Sequence, residues 1–108
     1  MLDFDKMNSE TIKNFKGGDG EVIAKMFFDG KVRIMKAVLK PGCSIGKHTH
    51  ETNSEVIYCL SGKGDIIVDG EPELLEEGKV HYCKKGSTHE LKNNYASDLV
   101  IFAVVPEQ

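Results

Sequence analysis

Tryptophan is absent from this sequence, and proline and cysteine occur only three times each. So little proline in 108 residues that are 40% apolar and 29% charged excludes a disordered tail or a collagen-like rod. Cys43, Cys59 and Cys83 are odd in number, widely spaced and form no Cys-x-x-Cys, which argues against a disulfide framework and against a structural zinc knuckle. Long apolar runs are missing too. The longest, Leu99 to Val105, has seven residues, far short of the roughly 20 that a bilayer-spanning helix needs. Basic charge is not in excess: 14 basic and 17 acidic residues give a net charge of −3, with no cluster beyond pairs such as Lys84-Lys85. Neither nucleic acid nor a membrane is an expected partner. The opening Met-Leu-Asp-Phe-Asp-Lys places acids where a secretory signal has a basic stretch, so a cytoplasmic location is the expectation.

Glycine, by contrast, is plentiful, and the eleven glycines punctuate runs rich in Val, Ile, Phe and Tyr. That spacing predicts an all-β sandwich or barrel. Glu21 to Phe28 and Lys31 to Leu39 flank Asp29-Gly30, a two-residue hairpin signal. Gly64 to Val68 and Glu73 to Leu75 flank a second, Asp69-Gly70, and Pro72 confines the returning strand to an edge or to its own first residue. Further strands are expected at 55–60, 79–83, 89–92 and 98–105, the last apolar on both faces and therefore buried between layers. Before Gly17 the apolar pattern is sparse, and a short helix or an extended arm both fit. Residues 1–20 are expected to form this arm as part of the same unit, and residues 21–108 a single β-barrel domain.

The chemistry concentrates around His48-Thr49-His50. Two imidazoles two residues apart on a strand share a face and can share one ion. Glu55 lies at an odd offset, so it joins them only if the chain turns or bulges within Glu51 to Ser54. His89, on a later strand, can be brought alongside by a rolled sheet. Three imidazoles and a carboxylate suit a divalent first-row metal, among them Mn, Fe, Ni, Co and Zn, without selecting one.

Two spaced motifs carry a family resemblance. Gly42, five residues, His48-x-His50, four residues, Glu55, six residues and Gly62 form the first; Gly78, five residues, Lys84-x-Gly86, two residues, His89, three residues and Asn93 form the second. In order and spacing they resemble the cupins, in particular the small single-domain members of the cupin 2 type. Lys84 stands where the family usually has proline, which puts the rigidity of that turn in doubt but not the ligand positions. The resemblance implies a jelly-roll, double-stranded β-helix barrel of RmlC-like type. It also implies a metal between the sheets held by His48, His50, Glu55 and His89, and a homodimer formed through sheet packing.

Other features read more simply. Gly42-Cys43-Ser44-Ile45-Gly46 matches the nucleophile-elbow pattern, but no helical period follows it, so Ser44 reads as a turn residue. His81 reads as an ordinary half-buried polar side chain, with a proton-shuttle role as the minor alternative. Cys59 shares parity with Glu55 but reads as a small core residue. Tyr58 and Tyr82 read as strand packing, and Glu71 to Glu77 as a solvated edge. The expected function is a metal-binding pocket for a small polar or anionic metabolite. It could serve isomerase, decarboxylase or dioxygenase chemistry, or a non-catalytic binding or sensing domain.

Overall fold

The computed structural model describes residues 1–108. Ten strands form: β1 (Glu10–Lys13), β2 (Glu21–Phe28), β3 (Val32–Leu39), β4 (Ser44–Thr49), β5 (Glu55–Ser61), β6 (Lys63–Val68), β7 (Glu71–Glu76), β8 (Val80–Cys83), β9 (Thr88–Lys92) and β10 (Leu99–Pro106). They make a six-stranded sheet in the order β1-β2-β3-β10-β5-β8 and a four-stranded sheet in the order β4-β9-β6-β7, with every pairing antiparallel. No helix is long and apolar enough to cross a membrane.

Alternation sets which face is buried. On β5, Glu55, Ile57 and Cys59 point inward while Val56, Tyr58 and Leu60 point out. Met35, Ala37 and Leu39 of β3 and Leu99, Ile101 and Ala103 of β10 continue that inner face, and Ile45, Ile66, Leu75 and Leu91 meet it from the smaller sheet. Burying a large aliphatic side chain contributes about 1.5–3 kcal/mol, so the contact between the two inner faces is the main stabilising layer. Cys59 belongs to this core.

The turns follow their residues, with one shift. Asp69 (φ 49) and Gly70 (φ 82) both take the left-handed conformation of a tight hairpin turn between β6 and β7. At the first hairpin only Gly30 does so (φ 94); Asp29 is not in the left-handed region, and its carboxylate accepts from the Lys31 and Val32 amides. The positive φ is thus confined to the residue with no Cβ. Pro72 lies inside β7, at the sheet edge, where its missing N–H costs no ladder bond.

The N-terminal segment is extended, not helical. β1 pairs with β2 at the sheet edge, and single 3₁₀ turns occur at Phe4–Lys6 and Phe15–Gly17. Asn14 and Lys16 have φ of 50° and 55°, a left-handed geometry that no right-handed helix can propagate through. Phe15 packs against the core, and the arm then runs behind β4.

Candidate metal centre

The site is built around an irregularity in β4. Ile45 pairs with Leu91 and His48 with His89, so three steps on β4 match two on β9. The extra residue is a bulge at Gly46-Lys47. Regular alternation would send His48 to the face opposite Ile45; the bulge returns it to the interior. The N-terminal arm backs this bulge, because a Cβ on Gly46 would overlap the Lys16 carbonyl oxygen and the Gly18 amide nitrogen. Ser44, at the start of β4, is buried, and its Oγ accepts the Asp19 N–H at 2.8 Å. Its hydroxyl ties down the arm.

After Thr49 the chain leaves the four-stranded sheet and enters the six-stranded one at Glu55. The change of sheet resolves the odd offset between His50 and Glu55, since the two residues approach from facing walls. His50 Nε2 and His89 Nε2 lie 3.2 and 3.1 Å from Glu55 Oε1. His89 Nε2 is 3.0 Å from His50 Nε2 and 3.2 Å from His48 Nε2. Donor atoms of all four residues fall within 4.8 Å of one another. They open on a cavity of about 390 Å³ whose wall also includes Met26, Met35, Ile57, Lys16 and Arg33.

The outer ring nitrogens are occupied. His48 Nδ1 donates to the Gly46 carbonyl at 2.7 Å, and His50 Nδ1 donates to Asn53 Oδ1 at 2.6 Å. A neutral imidazole carrying its proton on Nδ1 presents a bare lone pair on Nε2. Lone pairs at these separations repel unless a proton or a cation lies between them. Spacings of 3.0–3.2 Å are those of neighbouring ligands on one ion with bonds of about 2.1 Å. The donor set therefore fits a divalent transition metal.

Charge agrees with geometry. Burial alone would raise the Glu55 carboxyl, but its close contacts with the His50 and His89 rings outweigh it and hold it down at about 2. The nearness of the Glu55 carboxylate raises His50 above the usual imidazole range, against the effect of its burial. Burial lowers His48, opposed by its bond to Gly46. Burial also pushes the Cys83 thiol up to about 11, with the Glu55 charge adding to it.

All four residues singled out in the sequence thus meet at one point. His81 departs from its expected half-buried state: it is 2% exposed, with Nε2 2.9 Å from His89 Nδ1 and Nδ1 2.7 Å from Glu73 Oε1. Its pKa is lowered by burial, against the pull of Glu73. Sequence reading placed Asn53 only within the turn-permitting stretch 51–54 and Glu73 only within a solvated edge, and gave neither a role at the site. A signal for His81 was present in Val80-His81-Tyr82-Cys83, where a polar residue shares parity with a buried thiol. Lys84 leaves its turn intact, since its carbonyl accepts the Ser87 N–H at 3.0 Å and Gly86 takes φ 90°.

The family model described as "Cupin domain" matches residues 35–105, spanning both motifs and all four converging side chains. The chain belongs to the cupin family. An oxalate-binding protein of Thermotoga maritima is 32% identical over 106 residues, covering 93% of this cupin and 88% of that protein. The crystal structure of a predicted oxalate decarboxylase from Thermotoga maritima superposes with a TM-score of 0.93 at 29% identity, covering 100% of this chain and 99% of that one. An RmlC-like cupin from Shewanella frigidimarina matches with a TM-score of 0.82 at 16% identity, over 100% of this chain and 90% of that one, a likeness of fold. The two packed sheets are accordingly the jelly roll of a small cupin.

Proposed function

We propose that this cupin holds one divalent transition metal on His48, His50, Glu55 and His89, and that the bound metal captures a small carboxylate anion such as oxalate. The observation that carries the reading is the convergence of three imidazole Nε2 atoms and one carboxylate oxygen, with two of the outer Nδ1 atoms fixed by Gly46 and Asn53. Bound metal would supply open coordination positions and a positive charge for the anion. The chain's own contribution lies in orienting the imidazoles and in Lys16 and Arg33, which line the cavity and form no ion pair with any carboxylate. The similarity to an oxalate-binding protein supports the choice of ligand. Binding without turnover is the reading preferred over catalysis, because the one carboxylate on the cavity wall besides Glu55 is the exposed Glu51.

The test is oxalate binding by calorimetry to metal-loaded and chelator-stripped protein, with carbon dioxide release followed in parallel. Binding confined to the loaded form, with no gas released, is the expected result. Oxalate binding of equal strength to both forms contradicts the metal's role, and steady carbon dioxide release replaces binding with decarboxylation.

We also propose that two copies pair through the outer face of the six-stranded sheet. There Val56, Tyr58 and Leu60 of β5 and Val80 and Tyr82 of β8 are exposed side by side, in the register Val56–Tyr82 and Tyr58–Val80. A contiguous apolar surface of this kind is a usual mark of association.

A further inference from the structure

His81 is joined to both a carboxylate and a member of the converging set. β7 and β8 are edge strands of the two sheets, and their side chains meet where the sandwich closes: Glu73 of β7, His81 of β8 and His89 of β9 lie in line. The His81 side chain is 1% exposed, whereas that of Glu73 is 49% exposed. The rings of His81 and His89 are within 24° of parallel.

The order of protons along this line follows from the groups at its two ends. An ionised carboxylate only accepts, so His81 Nδ1 carries the proton that faces Glu73. His89 Nε2 points into the converging set beside His48, His50 and Glu55, and a neutral ring that ligates through Nε2 carries its proton on Nδ1. Across the 2.9 Å contact His89 Nδ1 then donates and His81 Nε2 accepts. The His48 and His50 rings obtain the same orientation from Gly46 and Asn53; His89 obtains it from another histidine.

We propose that Glu73 and His81 form a positioning relay that locks His89 in its Nδ1–H tautomer and so presents its Nε2 to the cation. The step to the cation rests on the metal-binding reading, whereas the tautomer is a property of the chain itself. Cys83 is the neighbour that offers a competing arrangement, since His81, Cys83 and His89 also place donor atoms within 4.8 Å of one another.

Two measurements on the full chain decide it. Long-range proton–nitrogen spectra of ¹⁵N-labelled metal-free protein report the tautomer of each imidazole. Wild-type His89 is expected to carry its proton on Nδ1, and His81→Phe, which removes the acceptor, to shift it toward Nε2. Cobalt(II) titration against a competing chelator reads the affinity, and the visible cobalt bands read the coordination. His81→Phe is expected to weaken cobalt binding about 10–100-fold and Glu73→Ala about tenfold, the range for losing a partner behind a metal-ligating histidine. Glu73→Gln, which keeps an oxygen acceptor for His81, should recover most of the affinity and the wild-type bands. Because Glu73 is largely solvent-facing, its variants test the relay even if His81→Phe does not fold. A wild-type His89 protonated on Nε2, or Glu73→Ala binding cobalt with unchanged affinity and spectrum, overturns the relay. Two cobalt ions per chain, one of them lost in Cys83→Ser, overturns it in favour of a second metal site. If wild-type protein binds no cobalt, the metal reading fails while the tautomer measurement still decides the relay.

Discussion

Replacing Gly46 by alanine isolates the role of the β4 bulge. The added Cβ would overlap the Lys16 carbonyl oxygen and the Gly18 amide nitrogen. Both obstacles are backbone atoms, so no side-chain rotation relieves the overlap; either the arm or the bulge must move by about an ångström to restore ordinary contact distances. Overpacking of this kind costs about 1–3 kcal/mol, and each kcal/mol lowers the melting temperature of a domain this size by about 4–8 °C. Displacing the bulge also disturbs the Gly46 carbonyl that orients His48, so metal affinity should fall by about tenfold or more. Gly30→Ala is the control. Its Cβ meets nothing within 4 Å, and its φ of 94° makes the change a matter of backbone strain alone, about 1–2 kcal/mol. Thermal melting by circular dichroism and chelator competition for the metal are the assays. The expected pattern is destabilisation by both variants, with loss of metal affinity in Gly46→Ala only. Equal metal affinity in the two would refute the claim that the bulge aims His48.

Three further expectations follow from the same contacts. The Glu55 carboxyl, at about 2 when folded against 4.5 ordinarily, stabilises the metal-free protein by on the order of 3 kcal/mol above pH 4.5. That contribution should fade as pH falls toward 2, while the part due to the raised His50 is present below its usual 6.5 and fades as pH rises through its folded value; a flat denaturant midpoint from pH 2 to 5 contradicts the first half. Arg33→Gln should weaken oxalate binding to the metal-loaded protein about tenfold or more, since a charge-assisted hydrogen bond contributes about 1.5–3 kcal/mol, and calorimetry giving an unchanged affinity removes Arg33 from the site. Tyr58→Glu combined with Tyr82→Lys should convert dimer to monomer in light scattering, without loss of metal; a wild-type protein that is already monomeric removes the proposed interface.

Much of the fold was readable because strand signals are local. Asp69-Gly70 marks a turn by its own conformational preferences, and Pro72 marks an edge by its missing donor. The first hairpin shows the limit of such rules, since Gly30 alone takes the positive φ and the Asp29 carboxylate braces the turn instead. The N-terminal arm was undecidable because its fate depends on two left-handed residues, Asn14 and Lys16, that carry no glycine signal.

At the site, the parity of His48 and His50 and the polar stretch before Glu55 permitted convergence, and it was the resemblance of the two spaced motifs to the cupins that nominated all four groups. What was invisible was how they converge. The β4 bulge interrupts the very alternation used to read strands, and its cause lies some thirty residues earlier, in the arm that Gly46 lets through. His81 was underrated for a related reason. Its parity with Cys83 says that it faces inward, but only the closure of the sandwich, with β7 and β8 at the two sheet edges, shows that it faces His89 and Glu73.

The central claim is most directly tested by metal content. Inductively coupled plasma mass spectrometry on protein purified without added chelator should find close to one divalent transition ion per chain, and almost none in His48→Ala/His50→Ala. Retention of the ion at the wild-type level by that double variant would contradict the account.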